Sequence, residues 1–397
     1  MTLWVDRSAE TAGAQGRTHA LVVGVSRYAN LPAKGGPASA DEFKMGLKQA
    51  ETPVAGAFAF AKWLRDVMVN PAAPLSTLRL LLSPSQLELQ ADADLANAAP
   101  TVEAATTPNV RKALLEWWTE CRGDPKGIAV VYMSGHGVQL SKTDSYVLLE
   151  DFGADPSALD YSVDVGGVFR SMGGATMPQT QLYFIDACRI QPDLFARYRT
   201  AGKGIAPPEP LIGPDDRAAP VYFSASPDRP ALGQPGKGTL FAQALEDALA
   251  ASGSEGSPDD QDRWYISTYS LAQALGDRVE ELAQDIGEVQ YVVVGGQVRD
   301  APIHFFPGPP DVPVTIELDP ETAAAIARFD LWQGDRQRAV LQASAFNPYP
   351  AVCTIPAGSY SIDVTINPPT DPYVSRQGVA VPAYPHLRAR TKVKVVP

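Results

Sequence analysis

The length, composition and charge of the chain exclude several classes of protein. The chain has 397 residues, of which 45% are hydrophobic and 20% are charged, and its formal net charge is −12 at pH 7. A chain of this length buries a large core and has room for two or three domains. Its acidic balance argues against broad binding to nucleic acid or to anionic membranes, because both need a basic surface.

Two further features of the composition bear on location. No apolar run approaches the roughly 20 residues that cross a bilayer, and residues 1–16 contain no apolar segment of the kind that secretory signals carry. The three cysteines, Cys121, Cys188 and Cys353, are scattered and odd in number, which suits a reducing compartment better than a disulfide framework. We therefore expect a cytoplasmic protein that binds neither membranes nor nucleic acid.

Strand-like and helix-like segments alternate along the part of the chain that precedes Pro307. Runs of apolar, β-favouring residues predict six strands, at 20–25, 78–82, 128–133, 182–186, 221–224 and 290–294. Apolar residues at helical spacing predict helices between them, at 56–69, 109–121, 239–251 and 270–286. This alternation predicts an α/β fold with a mainly parallel six-stranded sheet that is sandwiched by helices and has right-handed crossovers.

Three segments of the same region are predicted to be loops. Residues 84–107 are rich in alanine and acidic residues, 253–262 are predicted to be a polar turn or a flexible tip, and 190–219 contain five prolines together with the basic residues Arg197, Arg199 and Lys203. Long segments without regular structure inside a compact domain tend to be functional or disordered. The loop over 190–219 matters most, because it directly follows Cys188.

The composition changes at a Pro-Gly-Pro-Pro string that begins at Pro307. It predicts a stiff linker over 307–313, between a domain at 1–306 and a second domain at 314–397. Short β-like runs in the second domain predict a C-terminal β-sandwich, an accessory domain that recruits a substrate, a partner or a regulator. One face of its last strand is basic, through Arg388, Arg390, Lys392 and Lys394. That face is either a solvated edge guarded by charge or a docking stripe for an acidic partner.

Two of the apolar runs end in polar residues that have chemical use. The 128–133 run continues into Ser-Gly-His-Gly, which contains His136, and the 182–186 run continues into Asp-Ala-Cys-Arg, which contains Cys188. Both look like strands buried on both faces of a parallel sheet, and the carboxyl ends of such strands meet at the edge where open α/β sheets bind ligands. If the two strands are neighbours, about 4.8 Å apart, their terminal side chains approach each other.

A histidine and a cysteine at that edge form a candidate base and nucleophile. His136 would deprotonate the thiol of Cys188 and later protonate the leaving amine. The glycines beside His136 let the backbone approach a ligand closely, so the N–H groups of Gly137 and Cys188 are candidate donors to an oxyanion. No metal site is predicted, because partners at metal-ligand spacing are missing for the other histidines, His19, His304 and His386.

These strings resemble the caspase-like peptidases, the clan of caspases, metacaspases and their bacterial relatives. The resemblance rests on Ser-Gly-His-Gly after one strand, Asp-Ala-Cys-Arg after the next, and a separation of 52 residues between His136 and Cys188. Residues 18–28 are similar to the first strand of the family, and the likeness covers residues 18–295. An aspartate two residues before the cysteine is similar to the metacaspase and bacterial branch rather than to the animal caspases.

The resemblance implies a caspase-like fold and a cysteine endopeptidase, a peptide hydrolase whose Cys/His dyad needs no cofactor for its chemistry. It also implies that Asp186 and Ser224 bind the substrate, with Asp186 in a pocket for an Arg or Lys (the P1 residue) before the scissile bond. The family's acidic residue early in the first helix, a second wall of that pocket, is replaced here by Ala-Gly-Ala at 55–57. Two alternatives stay open: a caspase-like protease with Asp specificity, and a catalytically silent caspase-like binding or scaffolding module.

The resemblance also bears on regulation. The loop after Cys188 resembles the activation segment of the family, so Arg197, Arg199 and Lys203 are either cleavage points, for the enzyme itself or for an upstream activating protease, or merely solvated. Cleavage there would make the chain a zymogen, as in a bacterial antiviral defence or cell-death pathway. Relatives of the metacaspase type often need Ca²⁺, for which the candidates by residue type alone are Asp259, Asp260 and Asp262.

Overall fold

A computed structural model of the chain describes residues 2–139, 145–190, 215–234, 236–256, 263–333, 338–385 and 389–397. The chain forms two compact units. The first unit consists of Met1–Glu246 and Ala272–His304, and the second of Asp247–Leu271 and Phe305–Pro397. The segment 247–271, predicted as part of the N-terminal domain, is therefore grouped with the C-terminal residues.

The secondary structure begins with β1 (Leu3–Asp6), β2 (Thr18–Val25), α1 (Pro53–Asp66), β3 (Leu75–Ser83), α2 (Gln86–Ala91), α3 (Ala93–Ala98), α4 (Thr107–Cys121), β4 (Ile128–Gly135), β5 (Gly137–Gln139), β6 (Ser145–Leu148), β7 (Ser162–Asp164), α5 (Val165–Ser171), β8 (Thr180–Ala187) and β9 (Ala219–Phe223). It continues with β10 (Gly233–Gln234), β11 (Gly238–Thr239), α6 (Leu240–Asp247), β12 (Ser254–Gly256), β13 (Trp264–Ser267), α7 (Thr268–Asp285), β14 (Val293–Gln297) and β15 (Pro302–Phe306). The remaining strands are β16 (Asp311–Asp319), β17 (Ala327–Gln333), β18 (Arg338–Ala345), β19 (Ala351–Pro356), β20 (Gly358–Ile366), β21 (Arg376–Ala383) and β22 (Ala389–Lys394). None of the described helices combines the length and apolarity needed to cross a bilayer.

The first unit is built on a sheet of seven strands among the described residues, in the order β1-β3-β2-β4-β8-β9-β14. The five inner strands run parallel, and the edge strands β1 and β14 are antiparallel to their neighbours. All six predicted strands are present. The additional strand, β1, has only four residues, too few for a pattern to identify. The last strand lies three residues later than predicted, and the side chain of Gln290, which precedes it, makes tertiary hydrogen bonds.

Helices cover both faces of this sheet, as predicted. Residues of β2, β3 and β4 are buried at every position. On one face the strands pack on α4, where Trp117 is buried and its indole N–H donates to the carbonyl of His19 at 2.9 Å. On the other face Phe60 of α1 lies 5.0 Å from the ring of Tyr132 and 5.1 Å from the ring of Phe184.

The first helix begins at Pro53, three residues before the predicted start, because a side chain distant in sequence caps it. The buried carboxylate of Glu88 accepts the N–H groups of Val54 and Ala55, at 2.9 and 3.0 Å. The prediction of a loop over 84–107 is wrong, because short helices occupy part of it. Ser85 and Glu88 form a reciprocal capping box at the start of α2.

Two of the sheets in the described part of the second unit share a common apolar core. Their strand orders are β19-β16-β22 and β18-β17-β20-β21, and the core includes Val314, Ile316, Phe329, Leu331 and Ile362. The strand β16 begins at Asp311, inside the predicted linker 307–313. The basic face of β22 meets acidic residues of the neighbouring parallel strand, through the pairs Arg390–Glu317 and Lys392–Asp319. Arg388 lies outside the described residues.

Candidate active site

The register of the two central strands brings His136 and Cys188 to the same point of the sheet edge. In the parallel pair β4 and β8, Ser134 is opposite Asp186 and Gly135 is opposite Ala187. The next residue of each chain segment is His136 and Cys188, respectively. The chains stay together beyond that point, since Val138 and Ile190 form a further parallel bridge. The predicted juxtaposition of the two segments is therefore present.

Glycine at position 137 is required by the close approach of these two segments. A Cβ atom on Gly137 would lie 2.4 Å from the carbonyl oxygen of Cys188 and 2.7 Å from the Cβ of Ala187. Any side chain here would push the His136 segment away from Cys188. The Ser-Gly-His-Gly string thus has a packing reason as well as a chemical one.

Backbone hydrogen bonds set the direction of the Gly137 N–H. The N–H of Leu148 donates to the carbonyl of His136 at 2.8 Å on one side of β5, and the N–H of Gln139 donates to the carbonyl of Ile190 at 3.0 Å on the other. Because N–H groups two residues apart on a strand point to the same side, Gly137 directs its N–H toward the segment of Cys188.

The imidazole of His136 is held by main-chain and aromatic contacts. Its Nε2 lies 2.6 Å from the carbonyl oxygen of Lys48, and its ring centroid lies 4.9 Å from that of Tyr28. A carbonyl oxygen only accepts, so Nε2 carries the proton and Nδ1 of the neutral ring is the free base. Burial lowers the pKa of His136, which favours this neutral form, although the bond to Lys48 acts in the opposite sense.

A second layer of contacts fixes the segments that hold His136. The hydroxyl of Tyr28 accepts the backbone N–H of His136 at 2.7 Å. The side chain of Gln49 accepts the N–H of Tyr28 at 2.7 Å and donates to the carbonyls of Tyr28 and Leu31 at 2.6 and 2.8 Å. Sequence reasoning missed these roles, because Lys48 acts only through its main chain and an isolated glutamine carries no motif.

The thiol of Cys188 is half-buried and meets a backbone amide. The N–H of Ala231 lies 3.3 Å from Sγ. Burial is the main reason that the pKa of the Cys188 thiol is raised; the Ala231 N–H lowers it and the carboxylate of Asp186 raises it further. With a raised thiol pKa and a lowered imidazole pKa, the resting pair is neutral, and the thiol proton has to move when the sulfur attacks.

Asp186 lies deeper than Cys188 and is almost completely buried, with 1% of its surface exposed. Its Oδ2 accepts hydrogen bonds from the hydroxyls of Thr239, Tyr132 and Ser134, at 2.5, 3.2 and 3.2 Å. Its Oδ1 is buried and has no hydrogen-bond partner among the described residues. Burial raises the pKa of this carboxyl group, and the hydroxyl donors lower it.

Packing around Gly56 explains why residues 55–57 lack the acidic side chain that the resemblance led us to expect early in the first helix. A Cβ on Gly56 would lie 2.4 Å from the Cβ of Ala242 in α6 and 3.2 Å from the hydroxyl of Tyr132. An acidic side chain would not fit at this point of α1.

Ser224, the other predicted substrate-binding residue, is fully buried. Its hydroxyl donates to the carbonyl of Ala187 at 3.3 Å, and its N–H donates to the carbonyl of Ile185 at 3.0 Å. In this arrangement it supports the end of β8, and its contact with substrate stays a prediction.

A pocket of about 690 Å³ lies beside this region in the first unit. Its walls come from α1, α2, α3, α6 and the turn 236–238, and neither His136 nor Cys188 lines it. The charged side chains around it are mostly acidic: Glu51, Glu88, Asp92, Asp94, Glu246 and Lys237. No sequence pattern indicates this pocket, since its acidic residues are spread over almost 200 positions.

Several predicted residues cannot be placed. Arg197, Arg199 and Lys203, and the calcium candidates Asp259, Asp260 and Asp262, lie outside the described residues. Within the described ranges, no group of three or more His, Cys, Asp or Glu side chains is arranged to hold a metal ion.

Comparison with known proteins shows which family the chain resembles. The family model of the caspase domain matches residues 17–281. Among solved structures, the fold is similar to the crystal structure of caspase-1 from Spodoptera frugiperda, with 13% identity and a TM-score of 0.42 over 72% of this chain and 88% of that one. Comparison with curated protein sequences finds no significant match.

The family match extends over most of the chain and includes both strand ends of the site. The molecule is therefore a cysteine peptidase with a caspase-type α/β fold. The chain belongs to the caspase-domain family, as the sequence strings predict.

Proposed function

We propose that the chain is an endopeptidase in which Cys188 is the nucleophile and His136 the general base and acid. Nδ1 of His136 takes the thiol proton as Sγ attacks the carbonyl carbon of the substrate, and the proton then passes to the leaving amine. The resulting thioester is hydrolysed by water, which releases the carboxyl product and restores the thiol. The register of β4 and β8 and the hydrogen bond from Nε2 to Lys48 support these roles.

The backbone N–H groups of Gly137 and Cys188 are proposed as donors to the oxyanion. Fixed N–H dipoles directed at developing charge are worth more in a water-poor site than in bulk water. The direction of the Gly137 N–H, set by the bonds of Gln139 and Leu148, supports this role.

The preference for a basic residue before the scissile bond rests on one observation, the unpartnered oxygen of Asp186. A buried carboxylate oxygen without a donor is costly, and the guanidinium of a substrate arginine is a planar donor that fits a carboxylate. A protein substrate with Arg or Lys at P1 is therefore the partner that we propose.

Paired fluorogenic peptides that differ only in P1, with Arg, Lys or Asp, test this preference directly. Arg and Lys peptides are expected to be cleaved and the Asp peptide to resist. Asp186→Asn should lower kcat/KM for the Arg peptide by about 10²-fold or more, because the charge-assisted contact is lost. Efficient cleavage of the Asp peptide by the wild type would instead establish Asp specificity, and no cleavage of any peptide after limited proteolysis would favour a silent scaffolding module.

Activation by cleavage in the loop after Cys188 belongs to the same proposal. Incubation of the Cys188→Ala chain with wild-type enzyme, followed by mass spectrometry, should reveal cuts after Arg197, Arg199 or Lys203 if the enzyme processes itself. Cuts that appear only with a second protease would identify an upstream activator. Loss of activity on adding a calcium chelator, and its return with Ca²⁺, would test the metal requirement. A cytoplasmic zymogen in bacterial defence or cell death is the setting that we propose.

A further inference from the structure

The backbone beside the sulfur of Cys188 belongs to a short segment, residues 228–232, which we call the thiol strap. Its Ala231 N–H lies 3.3 Å from Sγ, while the carbonyl oxygen of the same residue is 4.0 Å away. The amide is thus the near polar group of the strap, and it points a donor at the sulfur. No motif in the sequence indicates this contact.

The strap is tied to the chain segment that follows Cys188. The N–H of Asp228 donates to the carbonyl of Arg189 at 2.7 Å, and the N–H of Arg189 donates to the carbonyl of Arg229 at 3.1 Å. Asp228 adopts a left-handed conformation with φ of 62°, which is uncommon for a residue other than glycine. Such a conformation persists only where surrounding contacts hold it.

A buried glutamine holds the other end of the strap. Gln290 has 3% of its surface exposed. Its Oε1 accepts the N–H of Leu232 at 2.8 Å, and its Nε2 donates to the carbonyl of Ser224 at 2.7 Å. Because Leu232 directly follows Ala231, the side chain of Gln290 fixes the distance between the Ala231 amide and the strand ends that carry Cys188.

The described ionisable groups near the thiol do not provide a positive charge to stabilise a thiolate at Cys188, so a neutral hydrogen-bond donor is needed. The ring of Tyr28 is fully buried and its pKa is raised by burial, so it stays neutral, and His136 is neutral before proton transfer. The negative charge of the Asp186 carboxylate disfavours a negative charge on the sulfur of Cys188. The guanidinium of Arg189 lies 4.2 Å from the ring centroid of Phe223, and Asp228 and Arg229 on the strap are exposed.

We propose that the N–H of Ala231 stabilises the thiolate of Cys188, and that Gln290 is a positioning residue which holds this N–H in place. The proposal rests on the proposed role of Cys188 as the nucleophile. When Sγ transfers its proton to Nδ1 of His136, the negative charge on the sulfur is met by the Ala231 dipole. As the S–C bond to the substrate forms, that charge moves to the carbonyl oxygen, where other amides receive it.

The test is the pH dependence of Cys188 alkylation in the full chain. Iodoacetamide forms an S–C bond with the thiolate and releases iodide, so its rate follows the thiolate fraction. Mass spectrometry of the Cys188 peptide separates this reaction from that of Cys121 and Cys353. Ala231→Pro, which replaces the N–H donor with the carbons of the proline ring, should move the profile up by about one pH unit, because a hydrogen bond to the ionised form lowers a pKa. Ala231→Ser keeps the donor and should keep the wild-type profile. An unshifted profile for a folded Ala231→Pro would overturn the proposal.

Gln290→Leu provides the second measurement, since it preserves volume but removes both hydrogen bonds. Its profile should shift upward by less than that of Ala231→Pro. If Ala231→Pro fails to fold, as judged by circular dichroism, the Gln290→Leu profile decides the question, and a wild-type profile there rejects the role of the strap. Alkylation needs no substrate, so it distinguishes failure of this proposal from failure of the dyad, which shows as residual turnover by Cys188→Ala.

Discussion

The central sheet of the first unit and the two sheets that share the apolar core of the second unit bury their residues in different patterns. The strands β2, β3 and β4 are buried at every position, whereas β16 alternates between buried and more exposed residues. A parallel sheet covered on both faces has no solvated side, but each sheet of a sandwich has one. A polar residue in the first pattern therefore stands out, while in the second it is expected at every other position.

This difference decides how chemistry can be recognised. In the first unit, the apolar run of β8 is broken by Asp186 and then Cys188, which marks the strand end as a site. In the second unit, Arg390 and Lys392 look equally conspicuous in the sequence, yet they pair with Glu317 and Asp319 on the neighbouring strand. These charges are accounted for by cross-strand pairing, which favours the register of β16 and β22.

The largest loss of activity is expected when Cys188 of the first unit is replaced, and the cysteine of the second unit provides the control. Cys188→Ala should lower kcat by roughly 10⁴-fold or more, because the covalent step is lost. Cys353→Ala, in the second unit, is the matched control and should keep kcat within about twofold. Peptide hydrolysis by both variants checks this, and turnover by Cys188→Ala near the wild-type rate would remove the dyad assignment.

Gly137→Ala tests how tightly the strand ends must approach. The added Cβ would lie 2.4 Å from the carbonyl oxygen of Cys188, so we expect kcat/KM to fall by about 10²-fold, through displacement of the base and of the oxyanion donor. Gly13→Ala is the control, because nothing lies within 4 Å of its added Cβ. Similar losses in both variants would mean that the close approach has no special importance.

Glu88→Ala tests the tertiary cap of the first helix. The carboxylate accepts N–H groups of Val54, Ala55 and Ser85. Its loss removes these three hydrogen bonds, of which only that of Val54 has a second acceptor, the hydroxyl of Ser26, and should lower the free energy of unfolding of the first unit by about 2 kcal/mol. Glu10→Ala, on an exposed position, should change it little. Urea denaturation followed by intrinsic tryptophan fluorescence, to which the buried Trp117 contributes, measures both, and equal midpoints would contradict the capping role.

The pH dependence of peptide hydrolysis tests the protonation state of His136. Burial lowers the pKa of His136 below its usual value of 6.5. A lowered pKa keeps the imidazole unprotonated to lower pH, so the acid limb of kcat/KM should have its midpoint below 6.5 with a substrate that does not itself titrate in that range. A midpoint above 6.5 would indicate that the imidazole is instead stabilised as a cation by its surroundings.

The smallest effect is expected at the basic face of the second unit. Lys392→Ala removes an exposed pair with Asp319, and such pairs contribute less than about 1 kcal/mol. Thermal unfolding should change only slightly and kcat not at all. A large fall in kcat would mean that the basic face takes part in catalysis or in substrate capture.

The site residues that the sequence predicts share one property: each lies in a short local motif that contains a reactive side chain. His136 and Cys188 follow apolar runs, and the order of strands lets the runs lie side by side, so their meeting could be expected. Lys48 and Ala231 act through main-chain atoms, which every residue possesses, and no pattern marks them. No sequence pattern identifies Gln290 either, since its role depends on Ser224 and Leu232, which lie far from it along the chain.

By itself, the sequence determined the parallel sheet, its helical covering and the placement of a histidine and a cysteine at strand ends, because apolar periodicity and strand-end residues are local features of the chain. Only the tertiary structure decided the tautomer of His136, the start of α1 at Pro53, the burial of Asp186 and the amide that faces the thiol. Each of these depends on a hydrogen bond between segments that are remote in sequence, and such bonds form only when the fold has brought their donors and acceptors together.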